Sequence, residues 1–250
     1  MQCPAEDRLA FAPDGVHLWT AAEGVGPQTI LLSNGGPGCP DYLAPLSALI
    51  ANGERRVVRW EQRGIGRSGA DPGGPFTVDQ CLADMEAVRA SYGCQRWIVA
   101  GHSWGADLSL IYALAHPEHC GGLLCVAGGR LNNDREWHAA YARGRDAGLE
   151  RPLPDDLLPS PAANKHLNAE FTRYVQRPTL FREVAALDAP ALFVDGADDI
   201  RPSWPVEQVA ALMPRGRFVS VPGADHDPYR THPAEVRALV DAFLRSLPGP

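Results

Sequence analysis

The 250-residue chain reads as a doubly wound α/β protein with a mostly parallel sheet. Three observations predict this: short apolar runs alternate with longer amphipathic segments, the runs carry apolar residues on both faces as in buried parallel strands, and glycine or proline punctuates the changes. The strand-like runs are VHLWTAA (16–22), TILLSNG (29–35), RVVRWEQ (56–62), RWIVAGH (96–102), GLLCVAGG (122–129), ALFVDGA (191–197) and RFVSVPG (217–223). Read together, they predict parallel strands.

Between them, helices are expected in DYLAPLSALIANG, TVDQCLADMEAVRASYG, WGADLSLIYALAHPE, WPVEQVAALMPRG and HPAEVRALVDAFLRSL. Thr77, with Asp79 and Gln80 behind it, has the chemistry of a helix start; Gly93 marks that helix's end, and Pro117 stops the helix that follows Ser103. From Arg130 to Leu187 the alternation breaks: no strand pattern occurs, and two or three helices surround a proline-rich loop. The expected organisation is therefore a core of residues 1–129 and 188–250 with a helical cap or lid, 130–187, over the carboxyl ends of the strands.

Composition narrows the function. The formal net charge of −7 offers no basic footprint for nucleic acid or an anionic lipid surface, and Lys165 is the single lysine. With 45% hydrophobic and 21% charged residues the chain falls in the ordinary globular range. The six cysteines (Cys3, Cys39, Cys81, Cys94, Cys120, Cys125) form no CxxC pair and no metal-ligand spacing, so free thiols and no metal are expected. MQCPAEDRLAF lacks a basic start followed by an apolar core, and no run suits a membrane span; a cytoplasmic protein without membrane or nucleic-acid partners is expected.

The chemistry centres on AGHSWGAD (100–107). A Gly-x-Ser-x-Gly that follows a strand and opens a helix places the serine on a sharp turn, with glycines where Cβ atoms would clash. Ser103 is then the candidate nucleophile, and it needs a base. His226 in VPGADHDPY directly follows the last strand and is the first choice; His232 at the next helix start is the runner-up. The chain order Ser, acid, His puts the acid after ALFVDG, where GADD offers Asp198 and Asp199, with Asp199 preferred and Asp195 read as a structural carboxylate. An oxyanion hole needs two amides, taken from Trp104 and from the glycine-rich SNGGPGCP, with Gly36 preferred and Gly35 the alternative. His102 is expected to point away from the serine. His116, His119, His138 and His166 are read as surface or packing residues, and His17 as structural.

Together NGGPG (34–38), EQRGIGRSG (61–69), GHSWG (101–105), GADD (196–199) and GADH (223–226) resemble the α/β-hydrolase family, and within it the proline iminopeptidase branch. The resemblance implies a cofactor-free serine hydrolase with Ser103, Asp199 and His226 as triad and Gly36 and Trp104 as oxyanion donors. Its implied substrates are small esters, amides or short peptides, with release of an N-terminal residue placed ahead of carboxylesterase activity. Three departures mark this chain: Asn34 stands where the branch has histidine, Glu61 where it has aspartate, and the cap is shorter than in prolyl-specific members. In those members cap acidic residues bind the substrate's free amine, a role open here to Glu136, Glu150, Glu170 and Glu183. A serine at position 103 argues against the aspartate-dependent epoxide and haloalkane chemistries of the same fold. GRSG (66–69) lacks the Lys-Ser/Thr ending of a phosphate loop. The competing classes are a non-catalytic binding protein on the same fold and a lyase using acid–base chemistry without an acyl-enzyme.

Overall fold

Strand patterning and helix caps assemble into an eight-stranded sheet in the order β1-β2-β4-β3-β5-β6-β7-β8. The structure, a computed structural model, describes residues 6–70, 76–131, 135–151 and 157–249. The strands are β1 (Glu6–Phe11), β2 (His17–Glu23), β3 (Gln28–Ser33), β4 (Arg55–Trp60), β5 (Trp97–His102), β6 (Cys120–Val126), β7 (Ala191–Gly196) and β8 (Gly216–Val221). Those from β4 to β8 across the sheet run parallel, while β2 pairs antiparallel with both β1 and β4. The expectation of a parallel strand at VHLWTAA is thus corrected: its apolar pattern reports burial, which β2 shares with the parallel strands, and not direction.

The helices are α1 (Ala44–Ile50), α2 (Val78–Ser91), α3 (Trp104–Ala115), α4 (Arg135–Asp146), α5 (Pro161–Tyr174), α6 (Leu180–Ala186), α7 (Trp204–Leu212), α8 (Pro228–Thr231) and α9 (Pro233–Ser246). Thr77 caps α2 by accepting the Gln80 N–H with its side chain, and Gly93 follows the helix end with φ +67°. Two apolar clusters cover the sheet. One joins Leu31, Val58, Val99 and Phe193 to α2, α3 and α7; the other joins Ile30, Ile98, Leu124 and Val194 to α1 and α9. Burial on both faces explains why the central strands read as continuous apolar runs.

The direction of winding reverses at β3, whose neighbours are β4 on one side and β5 on the other. That switch opens a crevice at the carboxyl ends of β3 and β5, the place where doubly wound sheets bind ligands. The segment between β6 and β7 carries α4, α5 and α6 and is tied to this end: Asn164 donates to the carbonyl of Gly36 at 2.7 Å, and the Ser160 amide to that of Gly38 at 2.9 Å. Among the described residues no helix is long and apolar enough to cross a membrane. Cys39, Cys81, Cys94, Cys120 and Cys125 are free thiols, and Cys3 lies outside the described residues.

Candidate active site

Ser103 links β5 to α3 at φ 54° and ψ −127°, a conformation costly for a side chain with a Cβ. The flanking glycines make the turn feasible. A Cβ on Gly101 would overlap the Gly105 carbonyl, and one on Gly105 would overlap the Ser33 carbonyl of β3. The elbow therefore packs against the neighbouring strand with no room for side chains, which leaves the serine hydroxyl raised above the sheet.

His226, in the loop between β8 and α8, presents Nε2 3.0 Å from Ser103 Oγ. Its Nδ1 lies 2.5 Å from Asp199 Oδ2, on the loop after β7. The other Asp199 oxygen accepts the Arg201 amide at 3.0 Å and the Arg201 guanidinium at 3.2 Å. Burial pushes the Asp199 carboxyl up, but the hydrogen bond and charge of His226, helped by Arg201, outweigh it and hold the group below the ordinary carboxylate value. The neighbouring Asp198 is exposed, and His232 bonds the Thr231 hydroxyl at 3.0 Å instead of approaching the serine.

The glycine-rich loop after β3 lies against the elbow. The Gly35 amide donates to the Tyr42 hydroxyl at 2.9 Å, so it is already engaged. Gly36 follows at φ +119°, a conformation suited to glycine, and lines the same cavity as Ser103 and Trp104. Trp104 is the first residue of α3, where an amide has no intrahelical acceptor and the helix dipole favours negative charge. Asn34, at the position where the branch has histidine, donates from Nδ2 to the Trp60 carbonyl at 3.0 Å, while its buried Oδ1 has no hydrogen-bond partner among the described residues. Glu61 closes its own loop, accepting the Asp41 amide at 2.9 Å and the Arg67 guanidinium at 2.8 Å. The QRGIGRS motif thereby braces the turn beside the site; none of its residues lines either cavity at Ser103.

Two connected hollows flank the serine, of about 460 and 560 Å³, and share Gly36, Ser103, Tyr141, Asn164 and Arg201. Volumes of this size suit a small organic ligand. Trp137 and Tyr141 of α4 line the first hollow; Phe171 and Tyr174 pack against the core, and Phe181 is exposed. His138, expected to be a surface or packing residue, is exposed on α4 and also borders the first hollow. Of the four glutamates considered for amine binding, Glu150 lines a hollow, and its carboxylate is held by Arg201 and the Tyr141 hydroxyl. Glu170 pairs with Arg173 and Glu183 with Arg177, and Glu136 lines neither hollow. Sequence reading missed Arg130 and Arg201. Arg130 lies over the Trp137 ring at 3.9 Å with Asp107 3.6 Å away, and burial pushes the Asp107 carboxyl up to about 6.

Residues 28–153 match the alpha/beta hydrolase fold family, half of the chain. The chain belongs to the α/β-hydrolase family. It is 38% identical over 115 residues to a Caulobacter segnis protein provisionally named a carbamate hydrolase, covering 45% of this chain and 41% of that one. It is 33% identical over 192 residues to a provisionally named proline iminopeptidase of Streptomyces coelicolor, covering 70% of this chain and 56% of that one. Both alignments thus leave much of each relative's length unmatched. Among solved structures, a proline iminopeptidase of Mycobacterium smegmatis superposes with a TM-score of 0.69 at 24% identity, over 96% of this chain and 98% of that one. In sequence the chain is similar to proline iminopeptidases over part of their length.

Proposed function

We propose that this hydrolase is a cofactor-free serine enzyme that cleaves a small ester or amide through an acyl-enzyme. The observation that supports it is the unbroken chain Ser103 Oγ, His226 Nε2, His226 Nδ1, Asp199 Oδ2, at 3.0 and 2.5 Å. In this reading His226 takes the serine proton as Ser103 attacks the carbonyl, and Asp199 holds the imidazole in the required tautomer and stabilises the imidazolium. The Gly36 and Trp104 amides bind the oxyanion. His226 then gives its proton to the leaving alcohol or amine. Water, deprotonated by the same imidazole, releases the acid and returns the serine.

The two hollows on either side of Ser103 give room for the acyl and leaving groups, and residues 130–187 act as the cap that closes over them. Likeness to proline iminopeptidases supports release of an N-terminal residue from a small peptide or amide. A second reading, a small carboxylesterase, is favoured by Glu150: the one candidate cap glutamate that reaches a hollow is engaged with Arg201 and Tyr141, not presented to a substrate amine. Purified wild type and Ser103→Ala, assayed side by side on an L-prolyl arylamide and a short-chain p-nitrophenyl ester, separate the two. Serine-dependent arylamide turnover supports the iminopeptidase reading, turnover of the ester alone supports the esterase, and full activity of Ser103→Ala overturns both.

A further inference from the structure

We propose that Tyr42 and His102 are positioning residues of this hydrolase: a buried hydrogen-bonded brace that fixes the oxyanion loop and the His226 loop relative to each other. The proposal rests on the reading of Ser103 and His226 as the reacting pair. His102 is expected from sequence merely to point away from the serine. In the fold it is 2% exposed and spans two loops, with Nδ1 2.7 Å from the Tyr42 hydroxyl and Nε2 2.8 Å from the His226 carbonyl. Tyr42 continues the chain, since its hydroxyl takes the Gly35 amide at 2.9 Å.

The direction of every bond follows from the chemistry of its ends. A carbonyl oxygen only accepts, so His102 Nε2 must carry a proton; the carboxylate of Asp227, 3.5 Å from the same nitrogen, makes the same demand. Burial, with His226 close by, pushes His102 down to about 4, so the ring is neutral at pH 7 and Nδ1 is an acceptor. The single proton of Tyr42 therefore goes to Nδ1, and its oxygen is left to accept from Gly35. No member can reverse its role without stranding a buried polar group. Edge-on ring contacts with Tyr42 at 5.6 Å and Tyr229 at 5.2 Å hold the imidazole in plane.

The attachment points give the brace its function. Gly35 precedes the proposed oxyanion donor Gly36, His102 precedes Ser103, and the His226 carbonyl belongs to the proposed base. One chain of three hydrogen bonds thus fixes the relative placement of amide, nucleophile and imidazole, where displacements near 1 Å cost about a hundredfold in rate. Tyr42→Phe keeps the ring and removes the brace at its centre.

The test compares wild type, Tyr42→Phe, His102→Gln, His102→Leu and Ser103→Ala on a p-nitrophenyl ester, with kcat expressed per site titrated by a fluorophosphonate and thermal midpoints recorded. For Tyr42→Phe we expect kcat per titrated site to fall about tenfold to a hundredfold with KM within about twofold of wild type. His102→Gln, which retains a donor and an acceptor, should exceed His102→Leu by about tenfold. A purely structural role would lower the midpoint and the titrated fraction but leave kcat per site intact, and that result overturns the brace, as does equal activity of the Gln and Leu variants. Activity in Ser103→Ala overturns the underlying reading instead, so the two failures are distinct.

Discussion

Replacing Asp199 with asparagine removes one negative charge at the end of the proposed triad and changes almost nothing else. Its Oδ2 lies 2.5 Å from His226 Nδ1, and the side chain is 6% exposed. When Ser103 gives up its proton, the imidazolium charge is centred about 4 Å from the carboxylate; at an effective dielectric constant of about 20 that pair is worth about 4 kcal/mol. Loss of that stabilisation in the transition state corresponds to roughly a thousandfold fall in kcat. A wrong tautomer, enforced when the new amide donates to Nδ1, would push the loss towards ten thousandfold. Asp198, one residue away, is exposed and its backbone is bonded to the Ala224 carbonyl at 2.8 Å, so Asp198→Asn should change kcat by less than about threefold. The assay is steady-state hydrolysis of a p-nitrophenyl ester by both variants, with circular dichroism to confirm folding. Equal losses, or a larger loss for Asp198→Asn, would refute the reasoning.

Three further outcomes follow from the packing. Gly105→Ala forces a Cβ onto the Ser33 carbonyl, which is backbone and cannot swing aside; we expect a destabilisation of about 1–3 kcal/mol in urea unfolding and a fall in activity of about a hundredfold, whereas wild-type activity would disprove the close approach. Arg63→Ala strands the Asp84 carboxylate, whose side chain is 1% exposed and bonded to the Arg63 guanidinium at 2.8 and 2.5 Å; a loss of about 3–5 kcal/mol in chemical denaturation is expected, and a change under about 1 kcal/mol would contradict it. Glu86 carries a pH dependence. Burial raises its carboxyl, but hydrogen bonds from Arg89 and Tyr112 and the charges of Arg89 and His119 prevail and hold it down to about 2, below the ordinary 4.5. Because the folded value is depressed, the ionised group stabilises the fold fully above 4.5, and the benefit is lost as pH falls towards 2. The urea midpoint of Glu86→Gln should lie below that of wild type at pH 7, and the gap should narrow steadily as pH falls from 4.5 towards 2; a gap that widened in acid would refute the sign.

Much of this architecture is legible in the sequence because burial writes itself into apolar runs and turns into glycine and proline. The central strands and the elbow were readable for that reason: GHSWG couples a strand end, a helix start and two positions without room for a Cβ. The strand β1 was not, since its burial pattern leaves most of EDRLAF exposed at the sheet edge, where no continuous apolar run is needed. Nor was α8, four residues long and too short to display a helical period. Direction is equally invisible to periodicity, hence the reversed β2. In the site, chain order and strand position suffice to nominate Ser103, Asp199 and His226, while Asp198 and Gly35 fall away only when exposure and the Tyr42 hydrogen bond are known. The Tyr42–His102 contact joins residues 60 positions apart, and no local signal announces it. The fate of Glu150 belongs to the same class, because Arg201, which engages it, lies 51 residues away on another loop.

The most direct measurement of the central claim is to quench the enzyme in acid during turnover of a p-nitrophenyl ester and locate the acyl group by peptide mass. The account predicts one acyl group per chain on the peptide containing Ser103, and neither adduct nor turnover in Ser103→Ala. Steady hydrolysis by Ser103→Ala at a rate near that of wild type, or an acyl group carried elsewhere in the chain, would contradict it.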